Sequence, residues 1–256
     1  MKGTVALPKR RVLTVDISLG TFEEHIDLIA ALGAKHRSSY VCCVNAHMTV
    51  EAKEPGFALV VNNADLATAD GMPVLRALQH FHKVEQVRVA GNDIMPAILE
   101  KAGAEGLGVY LIGATEDVQQ RIVDRAGKEL PKLRIAGRYS PPFAPIEAMD
   151  LDADAERINA SGAHIVLVSL GCPKQEKWMA AMKGKVNAVM LGMGGAFLLY
   201  AGIDKRAPKW MRDLSMEWVY RLWLEPRRLW KRYVVTNSAF LVLVGKEMIR
   251  RMSGKA

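Results

Sequence analysis

The stretch Ile165-Val166-Leu167-Val168-Ser169-Leu170-Gly171-Cys172-Pro173-Lys174-Gln175-Glu176 decides the fold. Its first six residues hold one small hydroxyl among apolar β-formers, so they read as a strand buried on both faces. A Gly-x-Pro turn ends that strand and helix-forming residues follow at once. A strand with no polar face needs cover above and below, which is the situation of a parallel sheet packed between helices.

The same alternation repeats outward from this point. Strands are predicted over Val12–Ile17, Tyr40–Asn45, Phe57–Val61, Gly108–Ile112, Leu133–Ala136, Ile165–Leu170 and Ala188–Leu191. Helices are predicted over Phe22–Leu32, Pro73–His82, Asp93–Ala102, Glu116–Glu129, Ile146–Ala160 and Lys174–Lys183. The class is therefore α/β, a doubly wound, Rossmann-like and mainly parallel sheet. Beyond Ile203 the pattern changes to two helical stretches, Pro208–Leu224 and Pro226–Val244, hinged at Pro226 because proline breaks a helical hydrogen bond. We expect an α/β catalytic body over residues 1–203 and a helical appendage over 204–256.

Charge divides the chain at the same place. The 256 residues are 50% hydrophobic and 24% charged, too apolar for a disordered chain, with a net charge of +8. From Lys205 onward 13 Lys and Arg face 4 Asp and Glu, whereas the preceding body is close to neutral. Four of the five tryptophans, Trp210, Trp218, Trp223 and Trp230, share that basic tail. Cations interleaved with amphipathic aromatics suit an anionic surface, a membrane headgroup layer above all. Cys42, Cys43 and Cys172 make no disulfide framework and read as thiols of a reducing cytoplasm. No export signal is expected, and the apolar stretch Val186–Ile203 is broken by Asn187 and four glycines, so membrane contact is expected to be peripheral.

Ligands in open α/β sheets sit beyond the carboxyl ends of strands. Asn45 follows the second strand candidate, Asn63, Asp65 and Asp70-Gly71 follow the third, and Gly113 follows the fourth. Asp70 stands in a small-residue turn, where it has two readings: general base, or cap of the helix beginning near Pro73. The Gly171–Glu176 turn offers backbone N–H groups, an ammonium and polar side chains, fit for a phosphate or a sugar, or else is a plain strand-to-helix turn. Gly192-Met193-Gly194-Gly195 follows another strand, but Phe197 occupies the last glycine position of a dinucleotide fingerprint. Asp150, Asp152 and Asp154 are read as a solvated face or cap, since alternate residues of a helix do not converge on a cation. In the tail, Arg221, Arg228 and Arg232 recur at helical spacing and could grip a diphosphate.

Together these blocks resemble the WecG/TagA/CpsF family of bacterial glycosyltransferases, glycosyltransferase family 26. The resemblance runs from about Tyr40 to Tyr233. It is carried by Asn45, Ala69-Asp70-Gly71, Gly91-Asn92-Asp93, Gly171 to Glu176, Gly192 to Phe197, Lys205 to Trp210, Glu217 to Leu222 and Glu225 to Leu229. It implies inverting transfer, without a metal or other cofactor, from a nucleotide-sugar, usually a UDP-sugar, to a polyprenyl-diphosphate-linked acceptor at the cytoplasmic membrane face, in cell-surface polysaccharide synthesis. Asp70 would be the base. Asn45, Asn63, Asp65, Gly91, Asp93 and Gly113 would contribute to substrate binding. The donor pocket would be lined by Gly171, Pro173, Lys174, Gln175, Glu176, Gly194 and Gly195. Arg206, Arg221, Arg228, Lys231 and Arg232 would meet the leaving diphosphate. Cys43 stands where the family often has threonine, and Leu198 where aspartate commonly follows. Both departures bear on donor choice rather than on reaction class. Self-association is left open. Two other classes are weighed against this one, a phosphate-gripping nucleic-acid-binding protein and a nicotinamide-dependent oxidoreductase; the neutral body and the broken glycine fingerprint speak against them.

Overall fold

In the computed structural model, residues 6–208, 211, 217–224 and 226–253 are described, and of these the side chains at 217, 218, 221, 224 and 226–234 are not. A short antiparallel hairpin, β1 (Lys9–Val12) and β2 (Val15–Ser18), precedes a six-stranded parallel sheet in the order β4-β3-β8-β7-β5-β6. Its strands are β3 (Ser39–Val44), β4 (Leu66–Ala69), β5 (Gly108–Gly113), β6 (Arg134–Tyr139), β7 (Ile165–Ser169) and β8 (Val189–Gly192). The expected α/β class and parallel sheet are what the structure shows.

Both faces of the sheet are dry from β4 to β5, as these apolar strands require, while the edge strand β6 is at most half-buried. Tyr40, Cys42, Val44, Val166, Val168 and Met190 pack into one layer, while Val41, Cys43, Ile165, Leu167, Val189 and Leu191 pack into the other. The first layer is covered chiefly by α3 (Pro55–Asn62), α4 (Met72–His82), α7 (Leu151–Ala160) and α8 (Lys174–Met182). Helices α1 (Phe22–Ala34), α5 (Gly91–Glu105), α6 (Glu116–Glu129) and α9 (Ala196–Tyr200) cover the second.

Three local expectations are corrected. Phe57–Val61 is not a strand but the body of α3, because Glu54 caps it, accepting from the Gly56 and Phe57 N–H groups at 2.8 and 2.6 Å, and Pro55 sits in its first turn. The third strand of the expected series is Leu66–Ala69 instead. Val12–Ile17 is interrupted by a turn in which Leu13 has φ +58°. Ile146–Ala160 splits into a 3-10 turn at Ile146–Ala148 and α7, whose cap is Asp150, accepting from the Ala153 N–H at 3.0 Å.

After α9 the chain continues into α10 (Glu217–Leu224) and α11 (Pro226–Met252). The latter runs eight residues past its expected end at Val244, and Glu247 supports its last turns by pairing with Arg250 and Arg251. It packs on α2 (Ala46–Glu51), burying Thr236 and Phe240, and the Arg251 guanidinium donates to Phe81 O while lying 4.6 Å from the Phe81 ring centre. No helix among the described residues is long and apolar enough to cross a membrane.

Trp178 ties α8 to α7. It is fully buried and its indole N–H donates to Asp154 Oδ2 at 3.2 Å. Trp178→Phe should destabilise the fold by about 2–3 kcal/mol, from lost volume and a carboxylate left short of a donor, read as a lower urea midpoint at unchanged slope.

Candidate active site

All six parallel strands release their chains on one edge of the sheet. Crossovers leave β7 and β5 in opposite directions, so a crevice opens between those strand ends. A cleft of about 920 Å³ extends from there across the ends of β8, β3 and β4. Among its lining residues are Asn45, Asp70, Gly91, Gly171, Gln175, Gly194, Gly195 and Arg206, eight of the residues singled out in the sequence.

Register places two of these together. Val44 on β3 pairs with Ala69 on β4, so Asn45 and Asp70 leave adjacent strands side by side. The Asp70 and Gly71 N–H groups both donate to Val44 O, at 3.0 and 3.2 Å, which holds the turn in place. Gly71 lets the two segments touch, since a Cβ there would come within 3.2 Å of Asn45 Cα. Asn45 caps α2, its Oδ1 accepting from the Met48 N–H at 3.1 Å, and this leaves its Nδ2 as the donor it can offer the cleft. The cap of α4 is Gly71, with no side-chain bond, so Asp70 is not the cap that the alternative reading made it.

The far end of the cleft is built from glycine turns. Gly171 and Gly194 hold φ of +80° and +49°, a backbone region that favours glycine. Gln175 and Glu176 stand behind them at the start of α8, 5% and 0% exposed. Gln175 Nε2 donates to Glu176 Oε1 at 2.6 Å, and Gln175 Oε1 has no hydrogen-bond partner among the described residues. Burial pushes the Glu176 carboxyl above its usual range, only partly offset by the Gln175 bond. Burial likewise pushes the Cys43 thiol up, aided by the nearby Asp70 charge, so the cleft wall meets a ligand there with an uncharged sulfur.

Other expected residues stand back from the lining. Asp93 forms ion pairs with Arg88, at 3.2 Å, and with Arg206, and both arginines line the cleft, so it positions cations. A Cβ on Gly113 would collide with Ser169 O, which makes this glycine a condition for β5 and β7 to lie together. Pro173 belongs to the turn, and Lys174 points elsewhere, donating to Ala144 O at 2.8 Å. Asn63 and Asp65 precede β4 and so lie at the opposite edge of the sheet. There Asp65 accepts from the Tyr40 N–H and pairs with Lys183 at 2.9 Å, and Lys183 also donates to Asn63 O. Their expected place beside Asp70 followed from the misread third strand. The side chains of Arg221, Arg228, Lys231 and Arg232 lie outside the described residues.

The three aspartates at 150–154 are separately employed: Asp150 caps α7, Asp152 pairs with Lys185 at 2.6 Å, and Asp154 pairs with Arg157 and Trp178. Among the cleft residues not anticipated are His47, Arg76, His80 and Arg88. Arg76 and His80 are four apart on α4, a spacing visible in the sequence once that helix is known to begin beside Asp70.

The sequence profile of the glycosyl transferase WecG/TagA/CpsF family matches residues 10–254. The chain belongs to that family. It is therefore a glycosyltransferase, of a family that implies work in cell-surface polysaccharide synthesis, and the nucleic-acid and nicotinamide readings are set aside. Cys43 and Leu198, the two positions expected to bear on donor choice, both line the cleft of this glycosyltransferase.

The buried Glu176 carboxyl gives a signed pH prediction. Its folded-state affinity for a proton exceeds the unfolded one, so its effect on stability is most favourable below about pH 4.5 and declines as pH rises through the raised folded value. Glu176→Gln should therefore be more stable than the parent at neutral pH. The difference in unfolding free energy should shrink as pH falls toward 4.5, as urea titrations at several pH values would show.

Proposed function

We propose that this glycosyltransferase moves a sugar from a nucleotide-sugar, most simply a UDP-sugar, to a polyprenyl-diphosphate-linked saccharide with inversion at the anomeric carbon. The observation that carries this reading is the placing of Asp70 and Asn45 on β4 and β3, with the glycine turns on β7 and β8. From β4 to β7 is three strand spacings, about 14 Å, a distance a nucleotide-sugar can bridge. The nucleotide would lie against Gly171, Gly194 and Gly195, and the sugar would lie toward Asp70.

In this arrangement Asp70 accepts the proton of the acceptor hydroxyl as that oxygen forms a bond to the anomeric carbon. The bond from that carbon to the diphosphate breaks on the opposite face, and the electron pair leaves with the nucleotide diphosphate. Arg88 and Arg206, steadied by Asp93, supply positive charge where the leaving group gathers negative charge. By family resemblance Arg221, Arg228, Lys231 and Arg232 would add to it. The reaction as proposed needs no metal, and transfer should persist in excess EDTA. The basic helices after Ile203 form an appendage that rests on the inner, cytoplasmic face of an anionic membrane, using exposed apolar residues such as Trp223 and Ile249.

Asp70→Asn tests the central assignment. It should lower transfer by about 10²–10⁴-fold while UDP affinity, measured by calorimetry, stays within about twofold. Near-normal turnover would remove Asp70 from the base role.

A further inference from the structure

The cleft is not uniform. Along the strand ends it is polar, with Asn45, Asp70 and the arginines, but its other wall is formed by α4 and α11 and is largely hydrocarbon. Helix α11 contributes Phe240, Leu241, Val244 and Met248, a spacing that keeps them on one side of the helix, and α4 faces them with Ala77 and Phe81. On α4 these apolar residues alternate with Arg76 and His80, which also line the cleft, so the boundary between charged and apolar wall runs along this helix.

The apolar wall does not stop at the cleft mouth. Leu241 and Met248 line the cleft and are also 68% and 36% exposed, and beyond them Val242, Ile249 and Met252 continue the apolar surface outward along α11. A sugar needs little of this surface, and a nucleobase could cover only a part of it. Lying on a bilayer would account for the outward residues but not for the apolar lining between α4 and α11. A ligand with an anionic head and a hydrocarbon tail satisfies both, its charge beside Arg76 and its chain running out past Leu241 and Met248.

From this juxtaposition we infer that the channel between α4 and α11 is a binding site for the first isoprene units of a prenyl diphosphate, so that the acceptor is held by its lipid as well as by its saccharide. The inference rests on the proposed lipid-linked acceptor and adds to it a site that the transfer chemistry does not require. An aliphatic chain here gains affinity in proportion to the methylenes it removes from water, roughly fourfold for each one fully buried.

The test uses the full chain and calorimetry with inorganic diphosphate, geranyl diphosphate and farnesyl diphosphate. Affinity should climb by about tenfold or more per added isoprene unit. The double variant Leu241→Gln/Met248→Gln, at exposed helical positions where glutamine is well tolerated, should lose most of that climb and keep its affinity for UDP and inorganic diphosphate. Equal affinity for the three probes, or an undiminished climb in the double variant, would overturn the inference. So would a variant altered only in binding phosphatidylglycerol vesicles, which would make the face a membrane contact, or only in sedimentation, which would make it a contact between copies. Asp70→Asn should keep the chain-length dependence. A flat series with Asp70-dependent transfer intact removes the channel alone, and a steep series without UDP binding removes the proposed donor alone.

Discussion

The site depends on one pairing, the register that sets Val44 of β3 opposite Ala69 of β4. In a parallel pair a shift by one residue would turn Asp70 to the other face of the sheet and bury it among apolar side chains. The shared acceptor Val44 O guards against this shift, because it takes N–H groups from both Asp70 and Gly71 and so fixes where the second strand ends. Gly71 completes the constraint by allowing that turn to lie against Asn45, and α4 begins immediately afterwards. The rigid sheet thus positions a carboxylate and an amide without help from the loops that carry them.

Charge in the cleft is arranged by carboxylates that are not themselves in it. Asp93 sits behind Arg88 and Arg206 and holds each by an ion pair, restricting two long side chains that would otherwise lose much entropy on binding an anion. These pairs are partly exposed and contribute little to stability, so their value lies in orientation. Glu176 plays the corresponding part for Gln175. By accepting the amide N–H it fixes that side chain behind Gly192 and Gly194, and the close approach of Gln175 Nε2 to Gly192 leaves no room for a Cβ there without movement.

The sheet was legible because all of its strands but β6 are largely apolar on both faces, a pattern that few other structures share. Phe57–Val61 has the same local character and was misread, since a short apolar run carries no period long enough to separate strand from buried helix. The deciding signal was Glu54-Pro55, a cap and a first-turn proline, and with it Asn63 and Asp65 move from the reactive edge to the opposite one. The glycines and Asp70 were legible as turn residues after strands. Arg76 and His80 were not, because which side of a helix faces a cleft is settled by packing between elements distant in sequence, here α4 and α11, and Arg88 lies in the irregular segment between α4 and α5, which has no period to read.

The tail shows how composition and structure answer different questions. Its surplus of cations suits an anionic partner in general, and its tryptophan content suits the proposed surface with an apolar layer. Neither says how such a partner would reach Asp70. The placement of α11 bears on that question, because the same helix that buries Phe240 against the body turns Leu241 toward both the cleft and solvent. A helix with apolar residues on its packed side and its outer side cannot be fully covered by its own chain, and the uncovered part begins where the cleft opens. For the lipid-borne acceptor proposed above, the amphipathicity of that one helix would set the route, and the cations beside it would need only to hold the head group at its end.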